Sequence, residues 1–273
     1  SVNPADVDET LFGTALLAAS TSVAARQINF KVGIPADKPS LTVDRACCSS
    51  MTCIGLGLLK IRSGEAGVIL AGGIDSASQT PFLMKKMRWG HRLGDFTVED
   101  PMQIRNPITK QPIAGVTGEV ALQFGVGRDQ QDEWAFASHQ KYFQAFDSGF
   151  YGEEIFAIEA SDDVSSEMLA MDESPRRNAS LEKLRKLPTV YASPTVTAGN
   201  APGLNDGAAV TLLMSTQEAR KRGANVLADI VGYAQVCGAL ESSVYMPGVA
   251  ILTALHKSGL SLKDLKRIEI NEA

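Results

Sequence analysis

Residues 41–78 read LTVDRACCSSMTCIGLGLLKIRSGEAGVILAGGIDSAS, and the way this stretch changes period decides the fold. Residues 41–43 lean apolar and suit a short strand. Asp44-Arg45-Ala46-Cys47-Cys48-Ser49-Ser50 interrupts it, and an almost wholly apolar run follows to Arg62, long enough for a helix. Gly64 closes that run, and a second strand over 68–71 breaks off at Gly72-Gly73. Strand, helix and strand in this order predict an α/β sheet with crossover helices.

The chemistry of the stretch centres on Cys47. A thiol where a strand turns into a helix faces unpaired amides and the positive end of the helix dipole. That setting raises the thiolate fraction available for attack. Ser49 and Ser50 are the predicted N-caps. Met51, Cys53, Ile54, Leu56, Leu58, Leu59 and Ile61 ring the helix, which predicts burial on all sides. Gly55 and Gly57 predict close approach of another backbone. Cys48 and Cys53 read as small core residues, and Cys47 as the candidate nucleophile.

Composition narrows the classes. The 273 residues carry 26 Lys and Arg against 31 Asp and Glu, a net charge of −5, which offers nothing to nucleic acid or a membrane surface. Neither a membrane span nor a signal peptide is expected. Four cysteines, two of them adjacent, form neither a spaced disulfide framework nor a zinc pattern, so a reducing compartment and no metal are expected. The chain starts without Met and stops on the strand-like Ile270-Asn271-Glu272-Ala273, and is expected to be a piece cut from a longer protein.

Outward from the central stretch, the last part of the run Asp6 to Gly13 suits a short strand ended by glycine, and residues 22–31 a helix closed by Gly33 and Pro35. From 81 to 194 the alternation stops: a basic run (Met84 to Trp89), polar loops, an amphipathic helix over 129–149 and a short one over 181–187 suggest an inserted, loop-rich subdomain. Alternation resumes at Thr195 with a glycine-rich turn through Ala209 and a strand over 210–214. A helix over 216–222, a strand over 227–236, a helix over 247–258 and a strand-like tail complete the chain. The expected division is a core over 1–80 and 195–222, an insert over 81–194, and the start of a second half over 223–273.

These residues resemble the thiolase family. Asp44 to Ser50 is similar to the family's Asn-Arg-x-Cys-x-Ser-Gly nucleophile segment, and Ala71 to Ser78 to its Gly-Gly-x-Glu-x-x-Ser turn. Thr197 to Ala209 is close to its Thr-Ala-Gly-Asn-x-Ser-x-x-Asn-Asp-Gly-Ala-Ala block, Gln131 to Gln140 to its insert helix, and Asn271-Glu272-Ala273 to the start of Asn-Glu-Ala-Phe. The resemblance implies a layered αβαβα fold of two similar halves with an inserted loop domain, the second half here incomplete. It implies acyl transfer through coenzyme A: cleavage of a 3-ketoacyl-CoA, or the reverse condensation, by way of a cysteine acyl-enzyme. It also implies a homodimer or homotetramer, acyl-CoA and CoA as partners and substrates, and no permanently bound cofactor. The expected location is cytoplasmic, with mitochondrion or peroxisome as the eukaryotic alternatives.

By the same resemblance Cys47 is the nucleophile and Asn271 holds the water that binds a developing enolate or oxyanion. Arg176, with Arg177 as its alternative, meets the adenine end of coenzyme A, and Asn200 and Gly203 line the substrate site. The family's catalytic base lies in a Gly-His-Pro motif and its second cysteine further on; this sequence holds neither motif, so these 273 residues alone are expected to be inactive. His91, His139 and His256 read as surface or structural. Pro112-Ile113-Ala114-Gly115 and Pro202 depart from the family's usual His-Met-Gly and Ser, so acyl-chain length does not transfer. Two alternatives stand beside this reading. Ala46 to Ser50 is also similar to the Ala-Cys-Ser-Ser-Ser elbow of β-ketoacyl synthases, and a non-catalytic acyl-CoA binding protein would share the scaffold.

Overall fold

The computed structural model describes residues 2–19, 23–103, 110–159 and 168–272. The chain forms two compact units. One comprises Ser1–Met102, Leu204–Val236 and Gly248–Leu265; the other comprises Gln103–Gly203, Cys237–Pro247 and Lys266–Ala273.

The first unit is built on a four-stranded sheet of β1 (Glu9–Gly13), β2 (Ser40–Val43), β3 (Val68–Asp75) and β8 (Gly207–Met214) in the order β2-β1-β3-β8. β1 runs parallel to both β2 and β3, with Leu11 opposite Leu41 on one side and Ala71 on the other. β8 closes the sheet antiparallel to β3, with Thr211 opposite Ala71. The connections are α1 (Ala24–Val32) and α2 (Ser49–Arg62). β1 to β2 and β2 to β3 step across the sheet in opposite directions. Right-handed crossovers therefore put α1 and α2 on opposite faces. Side chains agree: the Ala25 amide of α1 donates to Thr42 Oγ1 at 3.1 Å, whereas Val43, the next residue of β2, packs into the core under α2. That core consists of Leu11, Cys53, Ala66, Ile69 and Ala71, with Ile54, Leu56, Ile61 and Leu213 against it.

α2 departs from the expected all-round burial. Ser49, Thr52, Cys53, Gly55 and Gly57 are buried, but Met51 is 66% and Leu59 57% exposed, because the sheet covers only one side of the helix. Its glycines also serve differently from expectation. The Tyr233 ring lies against Gly55 and the Leu213 side chain against Gly57, so these are side-chain seats. Backbone approaches closely at the end of β1 instead, where a Cβ on Gly13 would lie 2.5 Å from the Ser49 carbonyl carbon; at Gly73 the Ser50 side chain is seated, its Cβ 2.6 Å from where a Cβ would stand. The first turn of α2 thus rests directly on β1 and β3.

The same unit carries the short hairpin β4 (Leu83–Met84) with β5 (Val98–Glu99), and α6 (Thr216–Lys221). α7 (Met246–Ser258) follows. The strand expected over 227–236 is absent. Leu227 is 92% and Val231 66% exposed, and among the described residues this stretch joins no ladder, without which extended backbone is not a strand. The strand-like tail at 268–270 likewise forms none.

The second unit is helical, with α3 (Ile113–Gln123), α4 (Arg128–Asp147) and α5 (Leu181–Arg185), and one small hairpin of β6 (Ile158–Glu159) with β7 (Met168–Leu169). The Gly127 amide donates to Gln130 Oε1 (2.8 Å) at the start of α4, and Gly149 at φ +76° ends it, as the acid-opened, glycine-closed pattern predicts. Thr189 bridges Thr197 around a tight turn in which Tyr191 (φ +53°) and Ala192 (φ +56°) are both left-handed.

Candidate active site

At the C-terminal ends of β1 and β2 the chain leaves the sheet toward opposite faces, the place where doubly wound sheets bind their ligands. The Cys47 turn stands there. Ala46 takes φ +48°, a conformation costing an L-residue about 1–2 kcal/mol. Three side-chain bonds stabilise the turn around it. The Ala46 amide donates to Asp44 Oδ1 at 3.0 Å, the Arg45 amide to Ser49 Oγ at 2.8 Å, and the Ser49 hydroxyl to the Ala46 carbonyl at 2.6 Å. Backbone bonds from Cys48 to Arg45 (3.1 Å) and from Ser49 to Ala46 (3.1 Å) complete it.

The helix begins one residue earlier than the serine pair suggested. Cys48 is the N-cap, with φ −92° and ψ 4° and no side-chain cap, and Ser49 is the first helical residue. Ser49 does not cap forward because its hydroxyl reaches back into the turn. No side chain caps the start of α2; the Ser49 amide is taken by the Ala46 carbonyl, which leaves the amides of Ser50 and Met51 and the helix dipole to an anion. The cysteines divide as their surroundings dictate. Cys47 and Cys48 are exposed, so Cys48 is no core residue, while Cys53 is fully buried in the core. Burial pushes the Cys53 thiol up to about 11, which keeps it protonated and unreactive at neutral pH.

Two carboxylates secure the loops beyond the strand ends. Asp75 Oδ1 accepts from Thr14 Oγ1 (2.8 Å) and the amides of Ala15 and Leu16 (both 2.9 Å). Asp206 accepts from the Ser78 amide (2.9 Å), Ser76 Oγ (3.1 Å) and the Ser78 hydroxyl. The Ser78 hydroxyl, and after it the Ser78 amide, hold the Asp206 carboxyl below its usual 3.8. A group depressed on folding stabilises the fold above its unfolded pKa, and that contribution is lost as pH falls through the folded value. Urea-unfolding stability is therefore expected to fall as pH drops from about 5 toward 2, with a shallower fall in Asp206→Asn. An identical slope in the variant would assign the acid sensitivity elsewhere.

In the second unit the predicted substrate residues have distinct surroundings. Asn200 is fully engaged. Its Oδ1 accepts from the Thr197 amide (2.8 Å), and its Nδ2 donates to Asp132 Oδ1 (2.9 Å) and the Thr195 carbonyl (3.2 Å). Asp132 is completely buried on α4 and receives Arg128 Nε at 2.7 Å, while Arg128 Nη2 donates to the carbonyls of Leu184 (2.7 Å) and Leu187 (3.0 Å). Sequence reading missed this knot: Arg128 and Asp132 stand four apart, but the predicted helix began at 129 and left Arg128 outside it, whereas α4 starts at Arg128. Gly203 is exposed.

The two arginines part company. Arg177 forks onto Asp147 (2.9 and 2.5 Å) and covers the Phe143 ring at 4.3 Å. The Arg176 guanidinium has no ion pair among the described residues, while its amide donates to His139 Nδ1 at 3.3 Å. Burial, and secondarily the Arg176 charge, lowers the His139 pKa, which favours the neutral ring that accepts this bond. His91 Nε2 lies 2.6 Å from the Gly94 carbonyl, and His256 is exposed near the end of α7. Asn271 is exposed, and its neighbour Glu272 accepts from Trp134 Nε1 at 2.9 Å.

Comparison with known proteins follows the same lines. Residues 1–217 match the thiolase N-terminal domain. The chain is 37% identical to the mitochondrial 3-ketoacyl-CoA thiolase of Pongo abelii, covering 100% of this chain and 70% of that one. It is 38% identical to an acetyl-CoA acetyltransferase of Pseudomonas aeruginosa, covering 98% and 69%. The crystal structure of human mitochondrial 3-ketoacyl-CoA thiolase in complex with CoA superposes with a TM-score of 0.91 at 36% identity, over 100% of this chain and 69% of that one.

Proposed function

The chain belongs to the thiolase family, and from that membership we propose that Cys47 is the nucleophile of a thiolase-type, CoA-dependent acyltransferase. The Cys47 thiolate adds to the keto carbon of a 3-ketoacyl-CoA. Collapse of the adduct breaks the adjacent carbon–carbon bond, and the departing enolate takes a proton to become acetyl-CoA. The acyl group stays on sulfur as a thioester until the thiol of a second CoA attacks it and expels Cys47. A thiolate suits both halves, being a good nucleophile and a good leaving group.

The observation that carries this reading is the contrast between two cysteines of one helix region. Cys47 is exposed on a strained turn beside uncapped amides, while Cys53 is buried with its thiol pushed up to about 11. Iodoacetamide is therefore expected to label Cys47 faster than Cys48 and Cys237, and Cys53 only on unfolding. Labelling of Cys47 no faster than Cys48 would end the assignment.

On the substrate side Arg176 is the cation offered to the adenine end of CoA, because Arg177 is already committed to Asp147. Gly203 lines the pantetheine path, and Asn200 shapes the turn that leads there. Asn271 holds the oxyanion water. Turnover by the 273 residues alone should be small, since neither the Gly-His-Pro base nor the second cysteine motif is in the sequence. The same proposal includes the division into core (1–80, 195–222), insert (81–194) and second half (223–273). It also includes assembly as a dimer or tetramer, and a cytoplasmic, mitochondrial or peroxisomal setting. Among the described residues no helix is long and apolar enough to cross a membrane.

A further inference from the structure

We propose that Ser49 is the positioning residue of the Cys47 turn: its hydroxyl, between the Arg45 amide and the Ala46 carbonyl, holds Ala46 left-handed and thereby fixes where Cys47 stands. The inference rests on Cys47 as the nucleophile and adds a residue through which that nucleophile is held.

Several features of the turn argue for it. The two Ser49 bonds, 2.8 Å from the Arg45 amide and 2.6 Å to the Ala46 carbonyl, bracket the peptide units leading into Cys47. Ala46 has no intrinsic preference for φ +48°, so something outside the residue must impose it. Ser49 itself is 4% exposed, so water is poorly placed to substitute for the hydroxyl. Gly13 gives Ser49 its place against the strand: a Cβ on Gly13 would lie 2.7 Å from Ser49 Cβ, so only glycine leaves the helix start room there. Without the hydroxyl the turn keeps the Ala46 amide bond to Asp44 and the 3.1 Å backbone bond from the Ser49 amide to the Ala46 carbonyl. It loses its hold on the Arg45 amide and the shorter of the two bonds on that carbonyl. Cys48 stands past the strained residue in a near-helical conformation and serves as an internal control.

The test compares wild-type chain, Ser49→Ala and the double variant Ala46→Gly/Ser49→Ala, following iodoacetamide labelling of each cysteine by peptide mass spectrometry between about pH 6 and 9. Ser49→Ala is expected to slow Cys47 about tenfold and raise the midpoint of its pH–rate curve, while Cys48 changes less than about twofold. The double variant is expected to restore Cys47 to within about threefold of wild type, since glycine adopts φ +48° unaided. A merely structural serine would lower the melting temperature without moving the Cys47 pH profile, and Ala46→Gly would rescue nothing. Either result overturns the proposal, as does equal slowing of Cys48. If Ser49→Ala does not fold, a folded, fast-labelling double variant supports the proposal and an unfolded one overturns it. Failure of the nucleophile reading is separable, because it appears in wild type as a Cys47 no faster than Cys48.

Discussion

Cys47→Ala is expected to abolish acyl transfer from a coenzyme A thioester, a loss on the order of 10⁴-fold or more. The measurement is the mass of the cysteine-bearing peptides after incubation with acetyl-CoA. Wild type should carry one acetyl group on the Cys47 peptide, and Cys47→Ala none. This half-reaction is thiol exchange: sulfur replaces sulfur at a carbonyl, no carbon–carbon bond breaks, and no enolate needs a proton. It therefore reports on the nucleophile even where full turnover is slow. Cys48→Ala should leave acetylation intact, since Cys48 follows the strained residue and caps the helix. Cys47→Ser should be nearly as damaging as alanine, because a serine hydroxyl without an activating base is a far weaker nucleophile toward a thioester than a cysteine sulfur. Acetylation that persists in Cys47→Ala, or moves wholly to Cys48, would remove the acyl-enzyme from the proposed chemistry.

That experiment could be designed from the sequence, because the strand–turn–helix order around Cys47 is a local property. β1, α1, β2, α2 and β3 begin close to where periodicity puts them, since each carries its own start signals. β3, however, runs on through Gly72-Gly73, the pair expected to end it, to Asp75, because its pairing with β8 continues past them. Non-local relations were not legible. Ser49 reads as an N-cap by type, yet its hydroxyl turns backward onto the carbonyl of a left-handed Ala46, a pairing of φ and side chain that composition does not encode. Cys48 reads as a core residue and is exposed, because the helix starts a residue early and its cap faces outward. Residues 227–236 have strand composition but no neighbouring strand among the described residues, and a strand is a relation between two stretches. For the substrate residues, sequence offered Arg176 and Arg177 as equals. Only the position of Asp147 one helix away separates them.

Asp132→Ala is expected to destabilise the second unit by about 3–5 kcal/mol, the cost of leaving buried polar partners unpaired. Asp132 is fully buried and ties three segments together: α4 through Arg128, the end of α5 through the Arg128 bonds to Leu184 and Leu187, and the Thr195–Asn200 turn through Asn200. Alanine would leave a guanidinium only 24% exposed beside an empty site and reduce the Asn200 amide nitrogen to its 3.2 Å bond with the Thr195 carbonyl. Asp132→Asn keeps the shape and one acceptor, and should cost less, about 1–3 kcal/mol. Arg128→Met/Asp132→Ala should be more stable than the sum of its two single changes predicts, because removing both partners strands neither charge. Urea unfolding followed at Trp134, which sits on α4 two residues past Asp132, reads the effect where it arises. The turn reads it too. Asn200 Oδ1 holds the Thr197 amide, so Asp132→Ala should weaken the protection that CoA gives against heat before the unit itself melts. A cost under about 1 kcal/mol, or strict additivity in the double variant, would mean that the carboxylate is held by Arg128 without organising anything around it.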